Sequence, residues 1–218
     1  QDLTSGEGWS ATFQPAGKWT ESQEAAFYPH MAEFRTQHLG IAATLQITVA
    51  PDDDVEIRRL TLANHTDQTR RLRVLSYGEV ALAAPTRYRR HPAFNKLFIE
   101  SEWLPHFNAL LFRRRPRSGD EKPIFLLHAL IAGRDTRTAS DYESDRLHFI
   151  GRGNSVRTPA ALDRGRRSAG AVGATLDPIM SLGQTLELKP HASVQLIFLT
   201  AVHSSREVVL KMAQRYRS

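Results

Sequence analysis

The chain has 218 residues, 41% of them hydrophobic, and its 29 basic and 23 acidic side chains leave a formal charge of +6. That length allows one large domain with a substantial core. Without cysteine there is no disulfide framework or thiolate metal site, which fits a reducing compartment, and no apolar run reaches the roughly 18 residues of a membrane span.

Gln1-Asp2-Leu3-Thr4 carries neither Met nor a basic-then-apolar leader, so the chain reads as a piece cut from a longer protein. Strand-like sequence begins at Trp9. Residues 44–49 alternate apolar and polar side chains, the pattern of a half-buried strand. Pro51-Asp52-Asp53-Asp54 is a turn. Residues 55–64 form the next strand; its phase shifts at Ile57-Arg58-Arg59-Leu60, and a bulge there would restore the alternation. Asn64-His65-Thr66-Asp67-Gln68 turns again, and residues 70–82 make a third strand, so the three form a meander. Residues 125–131 and 147–150 read as strands, with a polar loop at 134–144. Residues 151–173 hold five glycines and many arginines, a long loop of the kind that is functional or mobile. Residues 185–188 alternate, residues 189–192 turn, and residues 194–201 are almost wholly apolar, as in a strand buried on both faces. A helix closes the chain, with Ser204 and Glu207 as a capping box and Val208, Val209, Met212, Ala213 and Tyr216 as its apolar stripe. The prediction is all-β: a large two-sheet antiparallel β-sandwich with a C-terminal helix, one domain over residues 1–218. Its core should contain Leu45, Ile47, Val49, Leu62, Leu72, Val74, Leu196 and Phe198.

No catalytic motif is present. There is no His-Glu-x-x-His, no Gly-x-Ser-x-Gly and no phosphate-cradling loop. Gly151-Arg152-Gly153 lacks the third glycine of a dinucleotide fingerprint. The nine histidines are dispersed, with none at metal-ligand spacing. His128, in an apolar strand, reads as a satisfied core histidine, and His91 before Pro92 as a turn former. Glu100 and Glu102 share a strand face and read as solvated surface groups rather than a glycosidase pair. We therefore expect no catalytic residue, no metal and no cofactor. The basic surplus is mostly arginine, spread from Arg35 to Arg217 and often beside Asp or Glu. That fits a solvated surface better than a nucleic-acid patch.

Flat rings suit the apolar faces of sugars, and Trp9, Trp19, Tyr28, Trp103 and Phe107 are candidates; the alternative for each is core packing or a domain seam. Segment 91–117 mixes Phe94, Phe98, Trp103, Phe107 and Phe112 with Arg113, Arg114, Arg115 and Arg117. Such a mixture suits an interface. The candidate carbohydrate or interdomain contacts are thus Trp9, Trp19, Tyr28, His91, Phe94, Asn95, Trp103, Arg113, Arg114 and Arg115.

The run His91-Pro92-Ala93-Phe94-Asn95-Lys96-Leu97-Phe98-Ile99-Glu100-Ser101-Glu102 and the stretch Asn108-Ala109-Leu110-Leu111-Phe112-Arg113-Arg114-Arg115 are the most specific features of the chain. Gly8-Trp9-Ser10-Ala11-Thr12, Gly40-Ile41, Arg152-Gly153-Asn154, Pro159-Ala160-Ala161-Leu162, Gly173-Ala174-Thr175-Leu176-Asp177-Pro178-Ile179 and Ser205-Arg206-Glu207 accompany them. Through these residues the chain resembles, from Trp9 to Tyr216, the non-catalytic β-sandwich of cyclic β-1,2-glucan synthases and of the glucan and cellobiose phosphorylases of glycoside hydrolase family 94. The resemblance implies a mutarotase-like supersandwich, with Gly8-Trp9-Ser10-Ala11-Thr12 as its opening strand. It implies a following (α/α)6 barrel that carries the catalytic carboxylate and the phosphate-binding groups. None of those groups is in this chain, so it implies a chain that is not an enzyme alone. The implied partners are that barrel and a β-glucan oligosaccharide, with a homodimer as the alternative, no nucleic acid and no direct membrane contact. The implied location is cytoplasmic, within a protein anchored in the inner membrane. The competing reading is a self-contained mutarotase or epimerase, which needs a His and a Glu facing each other across a concave sheet.

Overall fold

A computed structural model describes residues 1–116, 118–119, 121–132 and 141–217. In chain order the elements are β1 (Ser22–Tyr28), β2 (Met31–His38), β3 (Ile41–Val49), β4 (Val55–Asn64), β5 (Arg70–Leu75), β6 (Gly78–Glu79), α1 (Pro85–Arg90), α2 (Pro92–Lys96), β7 (Ile99–Leu104), β8 (Ala109–Arg114), β9 (Ile124–Ala132), β10 (Asp141–Asp145), α3 (Arg146–Ile150), β11 (Gly173–Ala174), β12 (Pro178–Leu188), β13 (Ser193–His203) and α4 (Arg206–Arg215). One sheet has nine strands in the order β1-β2-β3-β4-β13-β9-β8-β7-β11, and the other runs β10-β12-β5, with β6 also on β12. Neighbouring strands pair antiparallel throughout. This is the expected two-sheet sandwich.

The main core lies between the sheets. Leu60, Leu62, Leu110, Phe112, Leu196 and Phe198 come from the large sheet, and Leu72, Leu182, Leu186 and Leu188 from the small one. Each such side chain contributes about 1.5–3 kcal/mol on full burial. A second cluster lies on the opposite face of the large sheet, where Val209, Met212 and Ala213 of α4 cover Val55, Leu127, Leu199 and Ala201. The apolar stripe of the last helix therefore finds its surface within the chain. The long apolar run of β13 serves both clusters: Leu196 and Phe198 point to the small sheet, Leu199 and Ala201 to α4.

The same division explains the phase shift in β4. No bulge occurs; pairing runs unbroken with β13 from Val55 to Ala63 and with β3 from Glu56 to Asn64. Instead the covered face changes. Val55 and Ile57 belong to the cluster under α4, whereas Leu60 and Leu62 face the small sheet. An apolar pattern that switches parity can thus mark a change of covering layer rather than an extra residue.

Other expectations are corrected. The meander is β1 to β4, so the expected strands at 44–49 and 55–64 do pair as neighbours but the third does not join them. The chain after Asn64 crosses to the other sheet, where β5 pairs with β12, and the third strand ends at Leu75. Residues 147–150 are the helix α3, capped by the Asp145 carboxylate, which accepts from the Leu147 N–H at 2.8 Å. Residues 141–144 are strand, whereas residues 134–140 of the predicted loop, like Arg117, lie outside the described residues. Gly8-Trp9-Ser10-Ala11-Thr12 is irregular rather than an opening strand, although Trp9 packs on the main core. α4 starts after Ser205, not Ser204; Glu207 pairs with Lys211 one turn on instead of closing a capping box. Leu62, Leu72, Leu196 and Phe198 are core, and Leu45 and Val74 pack at its rim. Ile47 is only half-buried and Val49 is exposed, because β3 runs past the edge of the small sheet.

His128 is buried between the sheets. Its Nε2 is 2.9 Å from the Ser76 hydroxyl and its Nδ1 3.0 Å from that of Thr200, so both ring nitrogens are satisfied. Burial pushes its pKa down to about 3. It is the core histidine expected. Glu100 and Glu102 are surface groups, each facing an arginine, Arg115 at 3.1 Å and Arg206 at 2.8 Å.

Candidate functional site

The run 91–97 lies at one end of the sandwich, against the start of β12. His91 occupies the N-cap position of α2, and Pro92 fills the first turn, where its missing N–H costs nothing. Asn95 is buried and its side-chain amide donates back to the His91 carbonyl at 2.7 Å. This short helix carries Lys96 inward. The Lys96 ammonium pairs with the Asp177 carboxylate and lies 3.5 Å from that of Glu79. Arg146, first residue of α3, adds Nε contacts of 3.3 Å to Glu79 and 3.6 Å to Asp177. Burial opposes the lysine charge, but Asp177 and Glu79 outweigh it and hold its pKa above the ordinary lysine range. The Tyr77 hydroxyl donates to Glu79 at 3.3 Å, and its ring lies 5.0 Å from that of Phe149.

Two cations on two carboxylates balance in charge. A lysine held protonated cannot act as a base, so the knot orients rather than transfers protons. It ties β6, α2, α3 and the start of β12 together. In doing so it sets the residues beside it in the chain: Phe94, Leu97, Leu147 and Leu176 are all exposed, Leu176 by 79%. Each of these exposed apolar side chains lies within two residues of a clamp residue in the chain.

The other predicted residues separate. Arg113, Arg114 and Arg115 continue β8 and point alternately out, in and out. Arg114 is buried; its Nη1 donates to the Asn95 carbonyl at 3.1 Å and its guanidinium sits 5.7 Å over the Phe98 ring. It is a structural residue. Phe94 lies edge-on to Phe98 at 5.2 Å. Trp103 stacks on Tyr142 at 4.3 Å across the two sheets, in the main core. Trp9 packs on that core too, edge-on to His38. Trp19 is exposed by 76% and rests on Phe13, while Tyr28 stands half-exposed at the end of the edge strand β1. So the structure joins Asn95 to Arg114 and His91 but leaves Trp19 and Tyr28 apart from them.

Sequence reasoning missed Glu79, Asp177 and Arg146. They are far apart in the chain, and only the meeting of β6, β12 and α3 assembles them. It also missed Glu143, whose buried carboxylate accepts from the backbone N–H groups of Ser144, Asp145 and Ala169 at 2.9–3.1 Å. Burial nevertheless raises its pKa. The nearest imidazole, His148 Nδ1, is 4.0 Å away on the adjoining helix. The two are neighbours along the chain rather than partners across a concave sheet. Among the described residues, no group of three or more His, Cys, Asp or Glu side chains is placed to hold a metal, and no helix is long and apolar enough to cross a membrane.

The chain is 31% identical over 217 residues to the cyclic β-(1,2)-glucan synthase NdvB of Rhizobium meliloti (strain 1021), spanning all of this chain and 8% of that protein. It is 22% identical over 215 residues to the solabiose phosphorylase of Paenibacillus borealis, spanning 99% of this chain and 27% of that one. The chain thus covers a small part of the length of the curated relatives it matches. Among solved structures, the polysaccharide lyase BACCELL_00875 superposes with a TM-score of 0.50 at 13% identity, over 84% of this chain and 23% of the lyase, which is a likeness of fold. The family model for the supersandwich domain of glycosyl hydrolase 94 matches residues 1–218, the whole sandwich described above, and the chain belongs to that family.

Proposed function

We propose that this chain is the non-catalytic sandwich module of a glucan synthase or related phosphorylase, packing on a catalytic (α/α)6 barrel and helping to shape a glucan-binding cleft. The observation that carries the reading is the end of the sandwich at Lys96. There an internally neutral clamp presents Phe94, Leu97, Leu147 and Leu176 to solvent. Its two longer relatives are named as a glucan synthase and a phosphorylase, which supports a sugar-processing setting. In that setting the module works on the cytoplasmic side of a membrane-anchored enzyme.

The test is association in trans. The chain is mixed with the barrel segment of a longer family member and followed by sedimentation velocity. A complex is expected, and Leu97→Ser, Leu147→Ser and Leu176→Ser combined should abolish it without lowering the melting temperature. No complex, or a complex indifferent to the triple change, would remove this surface from the interface. Self-association of the chain through the same residues would make it a dimer contact instead.

A further inference from the structure

The outer face of the small sheet carries a groove of about 800 Å³. β5 and β12 form its floor, with Arg71, Arg73, Thr185 and Glu187 among its lining, and the turn at residues 163–167 forms one wall. Register sets Arg71 beside Glu187 and Arg73 beside Thr185. Five arginines and three carboxylates line the groove, so its balance is positive.

The wall is held from below. Arg73 Nε donates to Asp141 Oδ2 at 2.9 Å, and Nη1 donates to the carbonyls of Ala161 at 2.5 Å and Arg166 at 2.9 Å. Asp141 Oδ1 accepts from the Ser168 N–H at 2.8 Å. A buried ion pair thus grips the backbone on both sides of the turn, and the Arg166 N–H closes it on the Asp163 carbonyl at 3.1 Å. Within the turn, Gly165 has φ +79°, a conformation that suits glycine. Arg164 and Arg167 are carried on this fixed frame. Among the described residues, no side chain pairs with Arg71, Arg164 or Arg167.

Unpaired guanidinium groups on a pre-organised turn are receptors for a phosphate or carboxylate group. Asp163 and Glu187, equally without ion-pair partners among the described residues, are acceptors for hydroxyl groups. The volume matches a small-molecule site rather than a lone anion. The geometry points to a binding site for an anion-bearing saccharide: Arg71, Arg164 and Arg167 hold the anionic group, and Asp163 and Glu187 take sugar hydroxyls. The site lies on the sandwich itself and does not depend on the barrel contact.

Calorimetric titration of the chain tests it, with glucose 6-phosphate, glucose and inorganic phosphate as separate probes. Glucose 6-phosphate should bind at least tenfold more tightly than either of the others. Arg164→Ala with Arg167→Ala should weaken it at least tenfold, and so should Asp163→Asn with Glu187→Gln, both leaving the melting temperature unchanged. Four results would overturn the assignment: no binding of glucose 6-phosphate at millimolar concentration, equal binding of inorganic phosphate, binding indifferent to the arginine pair, or tighter binding of a short single-stranded oligonucleotide. The first rejects the site, the second reduces it to an anion sink, the third moves it elsewhere, and the last makes it a nucleic-acid surface.

Discussion

Replacing Arg73 by Ala should be the most damaging single change on the small sheet. Both partners of its ion pair are buried, and the guanidinium also satisfies two loop carbonyls. Removing it strands the Asp141 carboxylate, which keeps only the Ser168 N–H. Breaking a buried pair from one side costs about 3–5 kcal/mol, a figure that already contains the lost carbonyl bonds. For a chain of this length each kcal/mol lowers the melting temperature by roughly 2–4 °C, so the fall should be about 6–20 °C. Urea unfolding followed by circular dichroism reads the loss as a lower midpoint at unchanged slope. Limited proteolysis should cut first within residues 159–171, the stretch the pair secures. Arg73→Met with Asp141→Leu should recover most of the loss, since no charge is then left buried alone. Two results would refute the reasoning: a loss under about 1 kcal/mol in Arg73→Ala, or a double variant whose loss equals the sum of the two singles.

His128 is neutral in the folded chain down to about pH 3 but takes a proton near the ordinary histidine value of 6.5 when unfolded. The unfolded state therefore binds more protons between those values, and stability falls as pH drops through that window. The contribution reaches roughly 5 kcal/mol at its acid end. His128→Gln should flatten the acid limb of a stability-against-pH curve, and an unchanged limb would sink the idea. Gly183→Ala should cost about 1–3 kcal/mol, because a β-carbon there would run into Leu75 and lie 3.1 Å from Asp141 Cβ and 3.2 Å from the Val74 carbonyl. A neutral result in urea unfolding would mean that the strand gives way. Arg114→Ala should destabilise by about 2–4 kcal/mol, whereas Arg113→Ala should stay within about 0.5 kcal/mol. Equal effects in thermal melts would contradict the in-and-out alternation along β8.

The strands legible in the sequence were those with one consistent neighbour. Residues 44–49 alternate because their apolar side chains share the face turned to the small sheet, although only Leu45 of them packs on the core. Residues 194–201 run apolar because helix and sheet cover them from opposite sides. β1 escaped notice because it is an edge strand whose side chains are mostly exposed, so Ser22–Tyr28 shows no period. β10 reads as loop because its buried residues are Asp141, Glu143 and Ser144, satisfied by Arg73, backbone N–H groups and Ser101 rather than by apolar packing. α3 is too short to display a helical period. The proposed contact surface is partly legible, since residues 91–97 stand out in the sequence. Their significance depends on Glu79, Arg146 and Asp177, which no local pattern connects to Lys96.

The strand order also constrains how the protein comes off the ribosome. β13, the last of these thirteen strands in chain order, sits in the middle of the nine-stranded sheet, between β4 and β9. Until His203 has emerged, the nascent chain holds two half-sheets, each ending in a bare backbone edge that demands a partner. Such edges are templates for wrong pairing, and joining strands so distant in sequence is slow. Completion of the sheet therefore waits for residues 193–203, and a nascent chain stalled before Ser193 should engage chaperones or aggregate rather than form a smaller sandwich. The short closing helix then has a second office: it arrives after β13 and seals the outer face of the strand that joins the two halves.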